Sequence, residues 1–169
     1  KRSRSHSYVA AEVEAVRTAV GATEIANFAK HEISGPGSRK FLDYILAGRI
    51  PRPGRIVLTP MLTVKGKLYG DLTVACYSED KFIIYGSGAA QEMHRRWFEK
   101  FLPKDKDRVK YKNRSDDFHG IAISGPNSRK LLSRICREDV SVDALKFRDT
   151  RETFVGGVPA ILNRISFSG

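Results

Sequence analysis

Asp71 is the residue in this chain whose type and setting point most directly to chemistry. It opens the run Asp71-Leu-Thr-Val-Ala-Cys76, which reads as a strand because of its β-branched and small apolar residues. Strand alternation puts Asp71, Thr73 and Ala75 on one face and Leu72, Val74 and Cys76 on the other. Aspartate is disfavoured inside strands, so this one either caps an edge in water or points into a pocket. Beside an apolar cleft, its carboxylate could accept a proton or stabilise a developing cation. Two triplets, Ser38-Arg39-Lys40 and Ser128-Arg129-Lys130, fall in the first turns of helices, where free N–H groups attract anions. Duplicated capping and packing is their simpler use.

The remaining reactive side chains form no recognised centre. His6, His31, His94 and His119 lack metal-ligand spacing. Cys76 falls in a strand and Cys136 on an apolar helix face, so both read as core thiols of a reducing compartment. No Gly-x-Gly-x-x-Gly or P-loop pattern is present. In Gly86-Ser87-Gly88 the serine needs only to cap a helix.

The elements that must position Asp71 are legible from a duplication. Ile33-Ser-Gly-Pro-Gly-Ser-Arg-Lys-Phe-Leu42 returns as Ile123-Ser-Gly-Pro-Asn-Ser-Arg-Lys-Leu-Leu132, with eight of ten residues identical. Each copy predicts a strand end, a Gly-Pro turn and a helix with apolar residues at i, i+1, i+4 and i+5. Helix spacing places Val9, Val13, Val16 and Val20 on one face up to Gly21. Strands are expected over 30–34, 55–58, 68–77 and 81–85, with a hairpin at Lys65-Gly66-Lys67. A helix after Gly88 would bury Ala90, Met93, Trp97 and Phe101. The second copy brings a strand over 120–124, a helix over 128–136 and a final strand or two over 158–167, after a turn at Gly156-Gly157. Pro51, Pro53 and Gly54, and the basic stretch Lys104 to Arg114, read as crossings between lobes. The class is α+β: two pseudo-symmetric lobes of antiparallel sheet with packed helices. Residues 1–50 with 115–169 would form the first lobe, and 51–114 a second, incomplete one.

At 169 residues the chain can bury roughly two-thirds of its unfolded surface. No segment has the apolar length needed to span a bilayer. The net charge of +11 favours an anionic partner, such as an acidic cofactor tail or an acidic protein neighbour. Nucleic acid also fits the charge, but no aromatic ladder or binding motif supports it.

Taken in order, these pieces resemble the aminomethyltransferase (glycine cleavage T-protein) folate-binding family. The landmarks are Ala15-Val-Arg-Thr-Ala-Val-Gly21, Ile33-Ser-Gly-Pro36, Leu58-Thr-Pro-Met-Leu62, the segment Gly66 to Val74, and Asn163-Arg-Ile-Ser-Phe-Ser-Gly169. Ala47-Gly-Arg-Ile-Pro51, Gly86-Ser-Gly-Ala-Ala90 and His94-Arg-Arg-Trp-Phe98 are most similar in style to the C-terminal folate domain of dimethylglycine and sarcosine dehydrogenases.

The resemblance implies tetrahydrofolate as cofactor. Asp71 would match the essential acidic residue near the one-carbon site, and Phe28, Leu58 and Tyr85 positions lining the pterin and aminobenzoyl pocket. It implies capture, as methylenetetrahydrofolate, of a one-carbon unit released by N-methyl amine oxidation. FAD would belong to a flavin dehydrogenase domain of the same or a partner chain. In the family an acidic residue that grips the pterin follows the Ser-Phe-Ser-Gly run at once. A fragment ending at Gly169 is therefore expected to bind weakly and be inactive alone, with a homodimer as one way to cover its open edge. The resemblance fits bacterial cytoplasm or mitochondrial matrix. Two alternatives share it: a T-protein-like aminomethyltransferase, and a non-catalytic relative serving iron–sulfur assembly or RNA modification. Asp71 argues against the latter.

Overall fold

The computed structural model describes residues 3–105 and 108–166. Along the chain these form α1 (His6–Thr18), β1 (Gly21–Glu24), β2 (Ala29–Ser34), α2 (Ser38–Ile45), β3 (Arg55–Leu62), β4 (Leu68–Ser78) and β5 (Lys81–Gly86). A single 3-10 turn (Gly88–Ala90) then leads into α3 (Gln91–Phe101), β6 (Lys110–Asn113), β7 (Ile121–Ser124), α4 (Ser128–Ile135), β8 (Thr150–Val155) and β9 (Val158–Asn163). The architecture is α+β with antiparallel pairing, as expected. Among the described residues, no helix is long and apolar enough to cross a membrane.

Two units emerge from the contacts. One holds the residues up to Ile25, Gly120–Lys146 and Glu152–Ile161; the other holds Ala26–His119, Phe147–Arg151 and the residues from Leu162. The expected division assigned residues 26–50 to the other lobe. They join 51–119 because β2 bonds to both β5 and β6 and α2 packs into the same core.

The larger unit is built on a five-stranded sheet of order β3-β4-β5-β2-β6. Alternation along its strands sends Leu72, Val74, Cys76, Phe82 and Ile84 to one face, all fully buried. Against that face pack Phe41, Leu42 and Ile45 of α2 and Phe98 of α3. A register slip of one residue would bury Asp71 and expose Leu72, so this core also fixes which way Asp71 points.

The duplicated motif takes the same local form twice. Ser34 pairs with Lys110, and Ser124 with Gly21. Two residues before each partner, a carbonyl accepts the turn's N–H: Arg108 from Gly37, and Ala19 from Asn127, at 2.8 and 2.9 Å. Gly35 (φ 105°) and Gly125 (φ 117°) sit in the left-handed region. A Cβ there would lie 2.7 Å from the Arg108 carbonyl oxygen and 2.6 Å from that of Ala19. Glycine is therefore required at both turns. The copies differ in burial. α2 buries Ser38, Phe41, Leu42 and Ile45, whereas α4 buries no residue. Phe98 of α3 covers the first, and no helix follows β9 among the described residues.

Several expectations need correction. α1 buries none of its residues, and Val9 and Val13 are half exposed. The chain leaves α1 at Thr18, and Gly21 opens β1, where a Cβ would lie 2.5 Å from Val16 Cγ2. α3 buries His94 and Phe98, not Met93. The ring of His94 lies where Gly70 and Gly86 leave space. Residues 110–113 of the basic stretch form edge strand β6, whose lysines guard the edge against further pairing. Strand β8 lies in a stretch without strand signal, and Phe167 lies outside the described residues.

Pro51 to Gly54 do not cross between units; they lead into β3 inside the larger one. There the chain meets residues 148–150 in a local two-fold arrangement. Ile56 N–H donates to the Arg148 carbonyl (2.8 Å) and Thr150 N–H to that of Gly54 (3.0 Å). Gly54 N–H donates to Cys76 O and Arg148 N–H to Arg164 O, both at 2.8 Å. Gly54 (φ 76°) and Arg148 (φ 65°) share the left-handed conformation. Arg55 and Asp149 bridge at the centre and form an ion pair.

Candidate functional site

Cross-strand register gathers the four residues singled out in the sequence onto one face of the larger unit's sheet. Leu58 of β3 pairs with Thr73 of β4, Thr73 with Tyr85 of β5, and Tyr85 with Lys30 of β2. That row crosses four strands. Asp71 lies two residues along β4 from Thr73, opposite Pro60, and so on the same face. Phe28 lies two residues before Lys30, at the mouth of β2. Diagonal neighbours on one sheet face are about 7–8 Å apart, within reach of a single planar ligand.

Exposure distinguishes this face from a core. Leu58 is 68% exposed and Phe28 46%. Asp71 is also exposed, and Tyr85 half-buried. Large apolar side chains in water around a carboxylate and a phenol are what a flat, hydrogen-bonding ring would cover. Beneath them the sheet is rigid, since Leu72 and Ile84 are fully buried. His94 fills the space under Gly70 and Gly86, where a Cβ would lie 2.9 and 3.0 Å from its ring nitrogens. Burial pushes the His94 imidazole down, and a hydrogen bond to the Tyr69 backbone partly restores it.

Sequence reasoning missed four contributors. Lys30 is buried, and its Nζ donates to the carbonyls of Phe28 (2.8 Å) and Ala26 (3.0 Å), which ties down the loop presenting Phe28. Tyr77 Oη lies 3.2 Å from Tyr85 Oη. Asn163 Nδ2 donates to Tyr85 Oη (3.1 Å), and Thr150 Oγ1 donates to Asn163 Oδ1 (2.7 Å). Asn163 stood in a quoted landmark without a role; Tyr77 and Thr150 carried no signal.

In the serine-arginine-lysine triplets both arginines are committed to neighbouring groups. Ser38 Oγ is buried without a hydrogen-bond partner. Arg39 is spent on Glu79 (2.8 Å), the Pro51 carbonyl (3.1 Å) and the Phe82 ring. Arg129 donates to the Val140 carbonyl. Ser87 caps through its carbonyl, which accepts from Ala90 N–H, with no side-chain bond. The thiols of Cys76 and Cys136 are pushed up, in both cases chiefly by burial; Cys76 is a core thiol as expected, whereas Cys136 is only half-buried.

Across residues 1–169 the chain matches the GCVT N-terminal domain. It belongs to that family. Among curated relatives, mitochondrial dimethylglycine dehydrogenase of Homo sapiens is 34% identical over 170 residues, covering all of this chain and 20% of that protein. The aminomethyltransferase of Halothermothrix orenii is 27% identical, covering 94% of this chain and 43% of its own length. The chain thus spans a fifth to under half the length of these relatives. Among solved structures, glycine cleavage system aminomethyltransferase T from Bartonella henselae superposes with a TM-score of 0.74 at 16% identity, over 94% of this chain and 42% of that one. A chain of heterotetrameric sarcosine oxidase from Corynebacterium sp. U-96 gives 0.67 at 18%, over 97% and 81%. Both share the fold of this GCVT-family domain, and the chain is an aminomethyltransferase-like domain related to dimethylglycine dehydrogenase.

Proposed function

We propose that the exposed sheet face carrying Phe28, Leu58, Asp71 and Tyr85 binds tetrahydrofolate, and that this GCVT-family domain captures a one-carbon unit released by oxidation of an N-methyl amine. The observation that carries the reading is the row Leu58–Thr73–Tyr85–Lys30 with Asp71 beside it. The residues fit the cofactor's chemistry: two exposed apolar side chains suit its ring faces, and a phenol and a carboxylate suit its polar edge. Tetrahydrofolate supplies the nitrogens that accept the one-carbon unit.

This chain's own residues supply position and charge. Leu58 and Phe28 exclude water from the ring. Asp71 holds its carboxylate on a strand whose opposite face is locked in the core, so its oxygens stay where a proton is released or cationic charge develops. The amine-oxidising step would belong to a flavin dehydrogenase domain of the same or a partner chain, in line with the dimethylglycine dehydrogenase relatives.

Calorimetric titration of tetrahydrofolate into the chain and its Asp71→Asn variant, at low and high salt, tests this. Saturable binding that survives salt and weakens about tenfold or more in the variant is expected, as for a hydrogen bond to a charged group. A folded chain that binds nothing, or binds equally well without the carboxylate, refutes the assignment.

A further inference from the structure

We infer that Asn163, hydrogen-bonded to Thr150, is a positioning residue that turns the Tyr85 hydroxyl proton toward the ligand. The inference deepens the proposed function and rests on it.

A phenol carries one proton and two acceptor positions. Tyr85 Oη accepts from Asn163 Nδ2 at 3.1 Å, which occupies one position with a donor that cannot take the phenol's proton. Tyr77 Oη stands 3.2 Å away and can donate to the second. With Tyr77 donating, the Tyr85 proton is left for a third partner on the open face. The opposite amide orientation would set a carbonyl against Tyr85 and capture that proton. The first orientation is the one in which Thr150 donates its hydroxyl to Asn163 Oδ1, at 2.7 Å.

The backbone around the pair holds it in place. Thr150 is buried, and its N–H is tied to the Gly54 carbonyl. Asn163 is followed by Arg164, whose N–H donates to Asp149 O (2.9 Å) and whose carbonyl accepts from Arg148 N–H (2.8 Å). One face therefore presents a directed donor on Tyr85 and, one strand over, a carboxylate acceptor on Asp71. That pairing suits a flat heterocycle with a ring acceptor and a ring N–H on one edge.

A double-mutant cycle read by tetrahydrofolate calorimetry tests the inference, with Asn163→Leu, Tyr85→Phe and the double variant. Asn163→Leu should weaken binding about five- to tenfold, the scale of one net hydrogen bond. In the Tyr85→Phe background the same change should cost nothing, because Asn163 acts through the hydroxyl. Asn163→Asp keeps the shape but reverses the polarity toward Tyr85, and should weaken binding at least as much. Thr150→Val serves if Asn163→Leu does not fold; its loss should likewise vanish without the hydroxyl. Equal losses in both backgrounds would mark a merely structural role and overturn the inference while the folate assignment stands. Absence of binding by the folded parent chain overturns both.

Discussion

Lowering the pH from 7 to 5 should destabilise the larger unit through one side chain, His31. Its ring is fully buried, edge-on to Phe98 at 5.2 Å between centroids and stacked on Tyr111 at 5.9 Å. Nδ1 meets Tyr111 Oη at 2.9 Å, while Nε2 has no partner. Burial, and then His94, push its pKa down to about 4, with Glu92 opposing weakly. Unfolded, the same histidine titrates near 6.5. A lowered folded value means that the unfolded chain binds more protons between these limits. The contribution is therefore complete above about pH 6.5, falls as pH drops toward 4, and is flat below. The full loss is about 3 kcal/mol, of which about 2 kcal/mol falls between pH 7 and pH 5. His94, also lowered by burial, adds in the same direction.

Urea denaturation at pH 7 and pH 5 reads this directly. With a slope of roughly 2 kcal/mol per molar urea, the midpoint should fall by about 1 M. The carboxylates held low beside Arg95 and Lys112, Glu92 and Asp117, lose their share only at more acid pH, so the window isolates the histidines. His31→Leu gives up the Tyr111 hydrogen bond and should be less stable at pH 7, yet most of the pH dependence should vanish. A parent midpoint that does not move between pH 7 and 5, or a His31→Leu variant that keeps the full slope, would refute the reasoning.

Other perturbations bear on the site and its frame. Gly88→Ala would place a Cβ 1.9 Å from the Asn27 carbonyl oxygen, so the loop carrying Phe28 must shift; weaker tetrahydrofolate binding with a lowered melting temperature is expected. Gly54→Ala has open space but a φ of 76°, and should cost about 1 kcal/mol by strain alone. Arg148→Gly, at the equivalent turn with φ 65°, should instead gain about 0.5 kcal/mol, since relief of strain outweighs the added chain entropy; thermal melts of the two should move in opposite directions. Leu72→Ala, fully buried beneath Asp71, should cost about 2–5 kcal/mol in denaturant.

What was legible in the sequence is what local pattern encodes. The alternation of Asp71 to Cys76, the hairpin after Leu62 and the Gly-Pro turns each depend on a few adjacent residues. Edge strand β6 was hidden because its protective lysines look like a solvated charge run. The face of α3 was misjudged because apolar spacing selects Met93, whereas the sheet's missing side chains at Gly70 and Gly86 select His94. The relay of Thr150, Asn163, Tyr85 and Tyr77 was invisible for a different reason: its links join different strands, one of them, between Asn163 and Tyr85, across 78 residues of sequence, and leave no periodic trace.

The duplication itself explains why the proposed site lies on one copy. The local two-fold makes Gly54 and Ile56 equivalent to Arg148 and Thr150, and Cys76 equivalent to Arg164. Carried back along the strands, that correspondence aligns Ala75 with Asn163 and Asp71 with Pro159. The backbone is repeated, but the carboxylate is not. Proline at the corresponding place offers neither charge nor an N–H. Conversely, the position that is a silent Ala75 in the first copy is the hydrogen-bonding Asn163 in the second. The residues of the proposed site therefore stand where the two repeated sequences diverge. In the proposed site the first copy would give an acceptor and an apolar wall, and the second the amide that directs the phenol.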